Sequence, residues 1–306
     1  MAAPARNLNT DGSPQMAKAV GEFVDYLARR GASINTIAAY RSDLEQLAYF
    51  IETSRTGDGY AALDRAAIEQ FVAGLKEHGY REASVARKLA AARSFFVFLA
   101  GEGAVSGNPA AGLTGPRIAR ALPGAISAEE VARLLQQAAR RPTPEARRDR
   151  AMLELLYATG MRVSELVSLN VDDIDLESRP PHVHCPGRPG AERTVLIPRR
   201  AQEALLSYLN TARPLLARKA GERALFVNRR GGRITRQGLW FILKGYARAA
   251  GSAVKVTPNT LRHSFAAHKL RRGVPLDNVQ QMLGHSAPSS TRIYAPFSND
   301  LRTAGR

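Results

Sequence analysis

Cysteine is nearly absent. Cys185 is the single thiol in 306 residues, so an internal disulfide is excluded and a structural zinc site lacks its usual thiolates. Long apolar runs are missing too: no stretch approaches the roughly 18 residues that a membrane-spanning helix needs. The opening segment, MAAPARNLNTDGSPQ, has no apolar centre of the kind a secretion signal carries, and a cytoplasmic location is expected. No glycine-rich Walker loop occurs, which leaves nucleotide hydrolysis without visible machinery. Lysine is scarce, with 7 residues against 37 arginines.

What is abundant is positive charge. Lys and Arg number 44 against 27 acidic residues, a formal charge of +17 that fits a polyanionic partner. The excess is lopsided. Residues 1 to 120 hold 14 basic and 12 acidic side chains, residues 121 to 306 hold 30 and 15, so the halves carry +2 and +15. A surplus concentrated in this way points to nucleic acid more than to an unpartnered solvated surface.

Apolar spacing in the first hundred residues predicts four helices, marked by Val20, Phe23 and Leu27; Leu44, Leu47 and Ile51; Ile68, Val72 and Leu75; and Val85, Leu89, Phe96 and Leu99. Ser33 or Asn35, Asp64 and Ser84 are the expected caps of the second, third and fourth, with Gly31, Gly79 and Gly101 ending the first, third and last. Residues 101 to 125 are rich in Gly, Pro and Ala and read as a linker. Beyond it, Ser127 and Glu130 stand in capping-box spacing, and a helix over about 144 to 159 should end at Gly160. HVHC and RTVLI around the PGRPG tip predict a β-hairpin within residues 181 to 198. Four more helices follow, around Leu205, Leu239, Leu261 and Val279. The expected fold is therefore mainly α with a small β-hairpin or sheet: a helical domain over 15–102, a linker over 103–125 and an α+β domain over 126–298.

Histidines invite a metal, but His263 and His268 are five residues apart, about 140° around a helix, and share no ligand face. His182 and His184 lie on one side of a candidate strand with no cluster to complete a site. Metal and other cofactors are accordingly not expected. TPNTLRHSFAAH (257–268) places Asn259 and Arg262 on one helical face, where a guanidinium can grip a phosphate. ATGMRVSEL (158–166) sets Arg162 just past a glycine-terminated helix. LGHSAPSSTRIY (283–294) sets His285 near a helix end and Tyr294 nine residues later. Two arginines, a histidine and a tyrosine make a kit for phosphoryl transfer.

These three segments, in order and with 23 residues from Arg262 to His285, resemble the boxes of the tyrosine recombinase (phage integrase) family, Xer-type members above all. RGASINTIAAYRSDLEQLAYF is similar to that family's N-terminal core-binding domain, a SAM-like helical fold. The resemblance implies a site-specific recombinase acting on a double-stranded DNA recombination site. In it Tyr294 is the nucleophile of a 3′-phosphotyrosyl intermediate, Arg162 and Arg262 hold phosphate oxygens, and His285 donates a hydrogen bond or moves a proton. It implies four protomers exchanging strands through a Holliday junction, with a XerD-like recombinase and a cell-division DNA translocase as partners in chromosome-dimer resolution. The chain departs from the family twice. Arg188 falls where a hairpin lysine usually protonates the leaving oxygen, and Asn259 where a histidine is usual. Lys244 and Lys255 have no spacing that makes either a replacement. His263 and His268 read as imidazoles that satisfy buried neighbours, and Glu165 as an orienting carboxylate. Two other readings stand beside this one: a DNA-binding accessory protein with weakened or lost cleavage, and a mobile-element integrase.

Overall fold

In the computed structural model, the residues described are 14–54, 64–116, 124–186, 192–285 and 287–298. The chain divides into two compact units, one within residues 1–119 and the other within 120–306. Among the described residues no helix is long and apolar enough to cross a membrane.

The first unit is a bundle of α1 (Pro14–Arg29), α2 (Ile34–Ser54), α3 (Arg65–Glu77) and α4 (Glu82–Gly101). Its core gathers the periodic residues named above, with Phe23, Leu44, Leu47, Ile68, Phe95 and Phe96 almost fully buried. Ser33 accepts the Thr36 amide and Asp64 the Ala67 amide, so both serve as caps. The fourth cap differs from expectation. The helix starts at Glu82 behind an extended Arg81, two residues ahead of Ser84 and with no side-chain cap bond, its exposed opening residues Glu82 and Ala83 leaving their amides to water. Its end differs as well: Gly101 is the last helical residue, and Gly103 takes the left-handed turn. Ala110 and Leu113, within the segment expected to be linker, are buried in this core. One charge cluster is buried with them, Asp43 bonding Lys88 at 2.8 Å and also pairing with Arg87. Such a pair survives burial only because each charge has its partner.

The second unit comprises α5 (Ala128–Ala139), α6 (Pro144–Thr159), α7 (Val163–Ser168), a three-stranded sheet, α8 (Arg199–Ser207), a π-helical turn (Tyr208–Ala212), α9 (Arg213–Leu216), α10 (Arg236–Ala249), α11 (Pro258–Arg271), α12 (Leu276–Leu283) and a last 3-10 segment (Arg292–Phe297). The Ser127–Glu130 capping box and the Gly160 stop are present as expected. The hairpin strands are β2 (His182–Cys185) and β3 (Arg193–Leu196), joined antiparallel with Val183 opposite Val195. The short β1 (Ile174–Asp175) pairs on the far side of β2 and makes the hairpin a three-stranded sheet. The hairpin tip, including Arg188, lies outside the described residues. Helix α11 buries nine of its fourteen residues, Arg262 among them. It runs through the unit with little polar face, which is how a guanidinium comes to lie inside.

Candidate active site

The site is built on the C-terminal end of α12. Gly284 caps it at φ 62°, in the left-handed region where glycine is favoured, and the final carbonyls there have no helical partner. Three arginines from three elements take them in succession. Arg193 of β3 donates from Nε to the Met282 carbonyl at 2.9 Å, Arg262 of α11 from Nη2 to Leu283 at 2.7 Å, and Arg162 from Nη2 to Gly284 at 3.0 Å. The negative end of the helix dipole favours this gathering of cations. A Cβ on Gly284 would lie 2.7 Å from Arg193 Nη1, so the close approach needs glycine as much as the backbone angle does.

Glu165, in the first turn of α7, holds two of the three. Arg193 binds its carboxylate through two parallel bonds of 3.0 and 2.9 Å, and Arg162 donates to Oε1 at 2.9 Å from Nη1 and to Oε2 at 2.6 Å from its backbone. Burial alone would raise the carboxyl pKa, but the bonds from Arg193 and Arg162 outweigh it and the net shift is downward. Glu165 is thus an ionised clamp, as its spacing from Arg162 suggested. Arg193 went unremarked in the sequence. Its signal was there: in the alternation of β3 it shares the inner face with buried Val195.

Arg262 is 6% exposed. Its Nη1 donates to the carbonyl of Gly160 at 2.5 Å, and its Nη2 meets His285 Nε2 at 2.9 Å. Gly160 is fixed by two demands, φ of 61° and a Phe265 ring atom only 2.3 Å from where a Cβ would stand. Burial and the nearby Arg162 lower the Arg262 pKa to about 10, which leaves it cationic at neutral pH. Among the described residues three of its five N–H groups are committed, which leaves two for a ligand.

A guanidinium has no acceptor, so His285 Nε2 must accept from Arg262, and the proton sits on Nδ1, which donates to Thr291 Oγ1 at 2.9 Å. Burial and the charges of Arg262, Arg162 and Arg193 lower the His285 pKa to about 4. Because the unfolded chain protonates near the ordinary 6.5, this residue costs the fold stability as pH falls from 6.5 towards 4. The melting temperature of the native chain should therefore drop towards that of His285→Gln, or further below it, over this interval, with a constant difference above pH 7. A difference that stays constant through the acid range would contradict the assignment.

Tyr294 lies in the last 3-10 segment, 1% exposed, among Phe265, Leu283 and Val279. Its hydroxyl is 2.6 Å from His263 Nδ1. His263 does satisfy a buried neighbour, and that neighbour is the phenol. His268 satisfies another, the Tyr157 hydroxyl at 2.8 Å. Asn259 is exposed on the first turn of α11 and, among the described residues, takes no part in the hydrogen bonds joining Arg162, Arg193, Arg262 and His285. Lys244 stacks its ammonium on Trp240 at 4.9 Å.

Fixed guanidinium groups with N–H to spare, a neutral imidazole and a phenol are the parts needed to hold a phosphodiester and attack it. Residues 125–299 match the phage integrase family and residues 20–103 the phage integrase N-terminal SAM-like domain. Tyrosine recombinase XerC of Herpetosiphon aurantiacus is 46% identical over 286 residues, 93% of this chain and 92% of that protein. Tyrosine recombinase XerD of Listeria innocua is 40% identical over 277 residues, 90% of this chain and 92% of that one. A crystal structure of XerH bound to palindromic difH in a post-cleavage complex superposes with a TM-score of 0.80 at 19% identity, covering 98% of this chain and 97% of that one, and so shares the fold. A lambda integrase tetramer bound to a Holliday junction superposes at 0.69 with 17% identity, covering 92% and 77%. The chain belongs to the phage integrase family of tyrosine recombinases, enzymes that cut and rejoin DNA strands.

Proposed function

We propose that the chain is an Xer-type site-specific recombinase in which Tyr294 attacks a phosphodiester held by Arg162 and Arg262. The reaction leaves a 3′-phosphotyrosyl link and a free 5′-hydroxyl, and a hydroxyl from a second duplex then reverses it to join exchanged strands. The energy of the broken bond stays in the protein ester, so ATP has no part. The observation that carries the reading is the union of Arg162, Arg262 and His285 at one helix end, nine residues ahead of Tyr294. Fixed cations aimed at developing phosphate charge are the main source of acceleration in such a step. For His285 to donate to a nonbridging oxygen, Nε2, which accepts from Arg262 in the resting site, must carry a proton, by a change of tautomer or by protonation of the ring. Arg188 and Asn259 take the places of the family lysine and histidine. Four protomers on a Holliday junction, a XerD-like recombinase, a cell-division DNA translocase and a cytoplasmic role in chromosome-dimer resolution complete the reading, supported by the likeness to XerC and XerD relatives.

Arginine at 188 and asparagine at 259 favour a second reading, a DNA-binding accessory protein with weakened cleavage, because arginine is a poor acid and an amide does not titrate. A nicked suicide substrate, which traps the covalent species, separates the two. The recombinase forms an SDS-resistant adduct. An accessory protein binds the same DNA without one, and gains an adduct only when Arg188→Lys and Asn259→His are combined.

A further inference from the structure

We propose that His263 is the proton acceptor for Tyr294 in strand cleavage, an inference resting on the reading of Tyr294 as nucleophile. A phenol attacks phosphorus only as it loses its proton, and the group receiving that proton must lie within hydrogen-bond reach. Among the described residues the side chain bonded to Tyr294 Oη is His263, through Nδ1 at 2.6 Å, with the two ring centres 5.6 Å apart. The alternatives are occupied or inert. Both nitrogens of His285 are engaged, one by Arg262 and one by Thr291, and Asn259 carries no titratable proton.

Placement strengthens the assignment. His263 directly follows Arg262 on α11, so the cation for the phosphate and the base for the nucleophile are consecutive residues of one helix. That helix is anchored at its start by the Thr257–Thr260 capping box. The groups facing His263 are Arg262 from its own helix and Tyr294 from the last 3-10 segment. Burial and Arg262 lower the imidazole pKa, and burial raises that of the phenol, so the proton stays on Tyr294 at rest. Transfer becomes favourable only as Oη bonds to phosphorus and loses basicity. In the step, the Oη–P bond forms, the P–O5′ bond breaks with its electron pair on O5′, the phenol proton passes to His263 Nδ1, and O5′ takes a proton from water or a general acid. On rejoining, the incoming 5′-hydroxyl gives its proton to water or to the conjugate base of that acid as its O5′–P bond forms, the Oη–P bond breaks with its electron pair on Oη, and His263 returns the proton to the phenol.

The test is single-turnover cleavage of a suicide substrate by the full chain, native and His263→Gln, from pH 5 to 9. It is repeated with sulfur replacing the bridging 5′-oxygen, a leaving group that needs no acid. His263→Gln is expected to cleave about 10²- to 10⁴-fold slower, to lose the acid limb of the native pH profile, to bind DNA as before, and to gain nothing from the sulfur substrate. His263→Ala should recover part of its rate with added imidazole, which serves if the Gln variant does not fold. Cleavage by His263→Gln within about threefold of native, or faster, overturns the proposal, as does full rescue by sulfur, which would make His263 an acid for O5′. A native chain that forms no adduct would instead overturn the assignment of Tyr294, and this inference with it.

Discussion

Tyr294→Phe abolishes the SDS-resistant adduct and leaves binding to the same DNA within about twofold, because affinity comes from many phosphate contacts and the phenol hydroxyl is none of them. The ring stays where it is, packed with Phe265, Val279 and Leu283 in its own small core. What is lost is the oxygen proposed as nucleophile and its 2.6 Å bond to His263. Leaving that imidazole nitrogen unpaired costs about 1–3 kcal/mol, too little to unfold the unit. Gel shift and adduct assays on one preparation check this. Residual adduct in the variant would mean that another residue attacks.

Arg262→Lys is the second large effect. Lysine keeps the charge, so the slope of DNA affinity against salt should not change. It loses the planar fork that bonds Gly160, Leu283 and His285 together and, among the described residues, leaves two N–H groups for a ligand. Cleavage should fall about 10²- to 10³-fold, the usual loss when one fixed donor to a developing anion is removed. At least one of the two carbonyls is left short of a partner, so the variant should also melt earlier, by about 1–3 kcal/mol. Single-turnover rates and thermal melts of the same samples check both parts. A rate within tenfold of native would show that charge at 262 suffices and geometry does not matter.

Much of this was legible in the sequence, and the pattern of what was not is physical. Local rules carried the elements: the Ser127–Glu130 box, the stop at Gly160, Asp64 as a cap and the paired strands 182–185 and 193–196 each depend on residues within a few positions of one another. Spacing within three motifs singled out Tyr294 and also Arg162, Arg262 and His285, and the last three meet at one helix end. The organising feature of the site, however, is a row of backbone carbonyls at 282, 283 and 284, and carbonyls have no letter in a sequence. Contacts across long separations were equally hidden. Glu165 meets Arg193 over 28 positions and His263 meets Tyr294 over 31, and nothing in a sequence shows which distant side chain a buried histidine will bond. The short α7 and β1 escaped because six and two residues are too few for a period to register. The start of α4 at Glu82 escaped because its cap, Arg81, makes no side-chain bond and so leaves no mark.

The most direct test of the site as a whole is to locate the covalent bond. The native chain is trapped on a suicide substrate, digested with nuclease and trypsin, and its peptides are read by mass spectrometry. The nucleotide 3′-phosphate is expected on Tyr294, within the peptide Ile293–Arg302. A nucleotide on any other residue, or unmodified Tyr294 in a chain shown to be bound to a cleaved site, would contradict the account.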